Sequence, residues 1–311
     1  MRKNPVLVIA GPTASGKSAL AAQAAHDLNG VVLNCDSMQI YKDIPIIAAA
    51  PTEEEKMLAE HRLFEIYDCD KRGNVVDWLN LCAAEIRKLW AEKRLPVVVG
   101  GTGFYVEALL NGVTPIPETP IEVRKQLQAR INQDGLENLY KELQQKDAEI
   151  AAKLNPNDKT RIVRALEVIA ATGQKLSEWY KKPLIQKLPE AHFITVKIMP
   201  SLDVIATRCC LRLDKMVDEL GVLAEIEKLL NKGVDENMPA MKALGVPELS
   251  LFIKGQMLLP EALDLAKLHT RQYAKRQRTW LKNKMSADIV FENVYEGQKD
   301  YLQQIFNVIK L

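Results

Sequence analysis

Short apolar runs alternate with longer stretches of helical spacing along this chain. Val6–Ala10, Val31–Cys35 and Pro96–Gly100 are almost wholly apolar and bounded by polar or turn residues. That is the pattern of strands buried on both faces of a parallel sheet. His192–Ile198 and Ala287–Phe291 predict later strands of the same sheet, and Leu63–Ile66 a short one. Between them lie predicted helices: the alanine-rich 19–28, a capped start at 51–62, and 75–93, where Val76, Leu79, Ala83, Ile86 and Trp90 recur at helical spacing. A further helix runs to Leu110. Trp78 and Trp90 read as core packing.

The pattern changes at Gly112. Val113–Pro120 holds three prolines in eight residues and predicts an extended linker. From Ile121 to about Lys182 the spacing is wholly helical and charged, with segments at 121–132, 135–145, 147–153, 158–172 and 175–181. Pro183–Pro189 is a second linker. The expected organisation is a core of residues 1–113 and 190–311 with an all-helical insertion at 114–189. Helices at 202–213, 261–284 and 298–311 complete the core.

One stretch carries chemistry on its face. Gly11-Pro-Thr-Ala-Ser-Gly-Lys-Ser18 fits G-x-x-x-x-G-K-[ST], and it stands between a predicted strand and a predicted helix. Its glycines let backbone N–H groups close on an anion at the positive end of a helix. Lys17 adds a point charge, and Ser18 a hydroxyl able to ligate Mg²⁺. The fold class is therefore α/β, a phosphate-loop NTPase or kinase-like core of parallel sheet and flanking helices. Asp36 follows the second strand and falls at the same sheet edge, where α/β folds bind ligands; a helix or turn cap is an equal reading. Gly101-Thr-Gly-Phe-Tyr105 follows the Pro96–Gly100 strand to that edge, with Thr102 read either as a site residue or as a cap.

Composition narrows the partners. Net charge is only +2, so a polyanion surface must be local. Lys267, Arg271, Lys275, Arg278 and Lys282 form such a surface: at about 100° per residue they make one stripe, and no acid intervenes from Leu265 to Ala287. A solvated helix face mixes both signs, so the stripe points to nucleic-acid backbone. Tyr273 and Trp280 are expected on the opposite face as core anchors. Arg208 and Arg212, one turn apart, could clamp a phosphate or pair with Asp203 or Asp214. Five cysteines without C-x-x-C spacing and four scattered histidines suggest no metal cluster and a reduced, cytoplasmic setting. The first apolar run is too short for a signal peptide or membrane span.

Five segments together resemble the tRNA dimethylallyltransferases. They are the phosphate loop; Asp36-Ser-Met-Gln39 with Tyr41; Gly100-Gly-Thr-Gly-Phe-Tyr105; Arg161-Ile-Val-Arg-Ala-Leu-Glu-Val168 with Thr172 and Gly173; and Thr270-Arg-Gln-Tyr-Ala-Lys-Arg-Gln277 with Thr279 and Trp280. The resemblance implies transfer of a dimethylallyl group from dimethylallyl diphosphate to N6 of adenosine 37, in tRNAs that read codons beginning with U. It implies diphosphate on Gly11, Pro12, Thr13, Ala14, Ser15, Gly16, Lys17 and Ser18, with Mg²⁺ at Ser18. Asp36 is then the general base, and Thr13, Lys17, Thr102 and Arg208 share the catalytic site. The anticodon stem-loop falls to Asp36, Ser37, Met38, Gln39, Thr102, Arg124, Thr160, Arg161, Arg164, Arg271, Lys275 and Arg278. A monomer without membrane contact is expected. The chain departs from the family's common T-A-K-P at Ala48-Ala-Ala-Pro51 and from Tyr-Ser-Val-Ala at Gly73-Asn-Val-Val76, and the first departure removes a cation at Ala50. A phosphate-loop small-molecule kinase, an adenylate prenyltransferase and a nucleotide-switched RNA-binding protein are the rival readings.

Overall fold

Six strands form one sheet in this computed structural model, which describes residues 3–310. They are β1 (Pro5–Ala10), β2 (Gly30–Asn34), β3 (His61–Arg62), β4 (Leu95–Gly100), β5 (His192–Ile198) and β6 (Ile289–Phe291). The order is β3-β2-β4-β1-β5-β6, and every pairing is parallel. Val6 to Ala10 and all of β2 and β4 are buried, because helices cover both faces. The register sets Ala10 opposite both Gly100 and Lys197, and Asn34 opposite Val99. The segments that leave β1, β2 and β4 therefore open side by side at one edge of the sheet.

Among the described residues there are thirteen α-helices, in chain order: α1 (Lys17–Asp27), α2 (Glu53–Leu58), α3 (Val75–Ala91), α4 (Gly103–Asn111), α5 (Ile121–Lys146), α6 (Ala148–Ala151), α7 (Lys159–Thr172), α8 (Leu176–Trp179), α9 (Leu202–Asp218), α10 (Val222–Asn231), α11 (Val246–Ile253), α12 (Leu259–Lys284) and α13 (Lys299–Lys310). The chain divides into two compact units. One runs to Leu110 and resumes at Lys187; the other is Asn111–Gln186. The smaller unit packs α5 to α8 around Leu139, Leu143, Ile162 and Ala165. Its two ends meet, with Val113 and Ile185 exchanging hydrogen bonds of 3.1 and 2.9 Å. The larger unit has the sheet core and a second cluster, in which Ile40, Tyr41 and Ile44 pack on α9 to α12.

Some elements differ from the pattern. The expected strand at Leu63–Ile66 is displaced to His61–Arg62, because Leu63 and Glu65 sit at φ 67° and 51°, left-handed values that no strand accommodates. By contrast, the break expected between the 121–132 and 135–145 helices is present as a kink inside α5 at Gly135 (φ 76°, ψ 164°). α10 and α11 lie where the pattern predicts no element. Each starts at a left-handed glycine, Gly221 or Gly245, rather than at a side-chain cap.

Candidate active site

The loop after β1 is shaped as its sequence requires. Ala14 and Gly16 take φ 62° and 83°, and Gly16 is the N-cap of α1 with no side-chain cap bond, which leaves the first helical N–H groups open to an anion. Glycine is needed at 16 on two counts: a Cβ would be in the left-handed region and 2.3 Å from the Tyr295 carbonyl oxygen. Tyr295 also donates its N–H to the Ser15 carbonyl at 3.1 Å, so the segment before α13 forms the floor of the loop. Ser15 Oγ is buried with no partner among the described residues. Lys17 Nζ arches back to the Pro12 carbonyl at 3.3 Å. Burial lowers its pKa to about 8, the Asp36 carboxylate opposing and the Arg212 cation reinforcing the shift.

The β2 end is built around Asn34. Its buried amide accepts from Asp36 N at 2.8 Å and donates to the carbonyls of Asp36 and Leu63, both at 3.1 Å. Trp78 Nε1 holds the Asn34 carbonyl at 2.8 Å, the core role expected for it. Asp36 both caps a turn and lines a cavity. Its Oδ1 accepts Met38 N–H at 2.9 Å, while its carboxylate faces a cavity. Thr102, after β4, accepts Ser37 N–H at 3.0 Å and donates to Ser37 Oγ at 3.3 Å. The second and third loops are thereby tied together.

The cavity, of about 320 Å³, has a polar wall of Thr13, Asp36 and Arg212 and an apolar one that includes Met38, Ile47, Leu213 and Met216. Tyr273 and Gln277 reach it from α12, and Lys242 and Arg276 add cations. The Ile44–Ala50 segment that forms part of the apolar wall is pinned from below. Glu225 accepts the N–H groups of Ile46 and Ile47 at 2.7 and 2.9 Å, and Gln39 Nε2 donates to Ala48 and Ala49 carbonyls at 3.2 and 2.6 Å. Burial pushes the Glu225 carboxyl up, against the pull of the two N–H groups.

Arg208 and Arg212 make neither of the ion pairs with Asp203 or Asp214 that spacing allows. Arg208 Nε donates to the Ala14 carbonyl at 3.0 Å and Nη1 to Glu296 at 2.5 Å, which braces the loop. Arg212 Nη2 donates to Thr13 Oγ1 at 2.5 Å and forms no ion pair among the described residues. Sequence spacing placed the two arginines together, but which one faces the cavity depends on how α9 packs.

The basic stripe is partly engaged. Lys267 pairs with Asp214 at 2.5 Å, and Arg278 Nε donates to the Pro200 carbonyl at 2.9 Å; Arg271, Lys275 and Lys282 are exposed. Tyr273 is not the core anchor expected of it, because it lines the cavity, and burial followed by the Asp36 charge pushes its phenol up. Trp280 is half-buried against Gly103. In the smaller unit Thr160 and Arg161 are exposed at the start of α7, Arg124 is half-buried, and Arg164 donates to Thr119 Oγ1 at 2.6 Å.

A family profile described as IPP transferase matches residues 39–284. Proteins named tRNA dimethylallyltransferase from Bradyrhizobium sp. and Zymomonas mobilis are 40% and 39% identical, over 91% and 94% of this chain and 91% and 95% of their own. The chain belongs to the IPP transferase family. Its fold agrees with solved members. The Bacillus halodurans tRNA isopentenylpyrophosphate transferase superposes with a TM-score of 0.68 at 32% identity, covering 99% of this chain and 96% of that one. A eukaryotic dimethylallyltransferase described as acting on tRNA gives 0.81 at 27% identity over 98% and 78%. As an IPP transferase the chain is a prenyl-transferring enzyme on a phosphate-loop core, and its cavity lies where the loops after β1 and β2 meet α9 and α12. Among the described residues no helix is long and apolar enough to cross a membrane.

Proposed function

We propose that the enzyme transfers the dimethylallyl group of dimethylallyl diphosphate to N6 of adenosine 37 in tRNAs reading codons that begin with U. One observation carries this: a single cavity joins the phosphate loop's Thr13 and the cation Arg212 to the Asp36 carboxylate. A diphosphate leaving group and a proton acceptor thus share one wall. A small-molecule kinase could use the same pair, but it has no need of the one-signed basic stripe on α12.

The diphosphate rests on the open N–H groups at the start of α1, with Lys17 and Arg212 on its oxygens. As the allylic C–O bond breaks, its electron pair goes to diphosphate, and these donors stabilise the growing charge. The N6 nitrogen bonds to the freed carbon, and its proton passes to Asp36. Asp36 Oδ1 is committed to Met38 N–H, so Oδ2 is the oxygen available as base. Arg208, engaged by Ala14 and Glu296, shapes the loop. The donors at hand suit magnesium, a hard cation that takes a hydroxyl such as Ser18 together with phosphate oxygens and waters; the buried, unpartnered Ser15 Oγ marks a place in the loop where polar ligand is lacking. When bound, Mg²⁺ would add positive charge to the leaving group. The target adenosine must leave its stack, at a cost of about a few kcal/mol. Arg271 and Lys275 hold RNA phosphates from the larger unit, and Thr160, Arg161 and Arg124 from the insertion. Gln39, with its amide on Ala48 and Ala49, shapes the acceptor wall.

Purified protein incubated with Mg²⁺, dimethylallyl diphosphate and a tRNA bearing adenosines at positions 36 and 37 is expected to yield prenylated adenosine by nucleoside mass spectrometry. No product from folded, tRNA-bound protein would return the loop to a nucleotide and favour the kinase.

A further inference from the structure

Gln277 touches two loops of the site at once. Its Oε1 accepts Thr13 N–H at 2.9 Å, and its Nε2 donates to the Gly101 carbonyl at 2.9 Å. The side chain is 6% exposed. Glycine at 101 makes room for it: a Cβ there would lie 2.4 Å from Nε2. Both partners are backbone atoms, so no rotamer change on the far side can absorb a shift. Thr13 belongs to the leaving-group side, where Arg212 also holds its hydroxyl. Gly101 adjoins Thr102, which holds Ser37, the neighbour of Asp36 on the acceptor side. One amide therefore links the two halves of the reaction.

We propose that Gln277 is a positioning residue that fixes the spacing between the leaving-group loop and the acceptor loops. The inference rests on the transferase reading above. Transfer requires the donor carbon to sit in line between its diphosphate oxygen and N6, with reacting atoms about 3–3.5 Å apart, and a misplacement of about 1 Å can cost about a hundredfold. If the loops slip apart, the C–O bond still breaks and its electron pair still leaves with diphosphate. Water then reaches the allylic carbon, bonds through oxygen and loses a proton to solvent, so dimethylallyl alcohol forms in place of prenylated adenosine. Only an amide does what Gln277 does at this length. Glutamate has no N–H for Gly101, and methionine has neither group.

The test compares wild type with Gln277→Met and Gln277→Glu in reactions containing tRNA and dimethylallyl diphosphate. Released diphosphate and prenylated adenosine are measured in the same tube. Wild type is expected to release one diphosphate per adenosine modified. Both variants should turn over about a hundredfold more slowly and release diphosphate in excess of product, with dimethylallyl alcohol making up the difference. The ratio is independent of how much variant is folded. Variants that keep the one-to-one ratio, at any rate, overturn the proposal. A wild type that makes no prenylated adenosine overturns the transferase reading and takes this proposal with it.

Discussion

The turn-capping bond of Asp36 and its proposed role as base use different oxygens, and they can be separated. Asp36→Asn keeps an acceptor for Met38 N–H and removes the base. Turnover is expected to fall by about 10²–10⁴-fold while tRNA affinity in a filter-binding assay holds. Near-normal turnover would send the proton elsewhere. Lys17 sets a pH limit. A lysine whose pKa is lowered to about 8 is charged below that pH and neutral above it. Affinity for inorganic diphosphate should therefore be level up to about pH 8 and weaken above it by up to about tenfold per unit. Lys17→Arg keeps its charge throughout and should remove the bend from the same titration. These residues were legible because the loop motif and a strand end locate them without knowledge of packing. Tyr273 and Gln277 were not, and of the arginines only the pair was legible: Arg212 shares a face with Arg208, and only the packing of α9 makes one a brace and the other a cavity wall.

At the scale of the element, α12 shows what helical periodicity does and does not reveal. Its buried positions are Ala262, Ala266, Thr270, Ala274, Gln277 and Leu281. The basic stripe at 267, 271, 275, 278 and 282 is the same series displaced by one residue. It therefore runs beside the buried line rather than opposite it, which is why Asp214 and the Pro200 carbonyl reach two of its members. Replacing Arg271 and Lys275 together should flatten the log–log salt dependence of tRNA binding by about 0.7–0.9 for each RNA phosphate no longer neutralised, whereas Lys267→Ala should leave the slope alone. An equal change for Lys267 would mean that its ion pair opens to RNA. The far end of α12 is held by Lys197 of β5, whose Nζ donates to the Met285 and Leu281 carbonyls at 2.6 and 3.3 Å. Lysine in a strand gave no hint of that role, since the partners come from distant sequence.

For the whole molecule, the parallel sheet was readable from apolar runs, but its order was not, because periodicity says nothing of neighbours. The proline-rich flanks marked the insertion, whereas α10 and α11 escaped notice for want of capping residues. With Val113 and Ile185 hydrogen-bonded, the insertion closes on itself. Replacing residues 114–184 with a short glycine–serine linker is expected to leave a core that melts in one calorimetric transition but binds tRNA more weakly. Loss of the transition would show that the sheet depends on the insertion.

The floor beneath the phosphate loop has a consequence for biosynthesis. The anion-binding loop leaves the ribosome long before Tyr295 and Glu296, which seat it and brace its arginine. Domains begin to fold as they emerge, but this loop lacks its floor until that later segment arrives. The anion-binding loop is thus expected to reach its final shape late in synthesis, with the residues that close its floor.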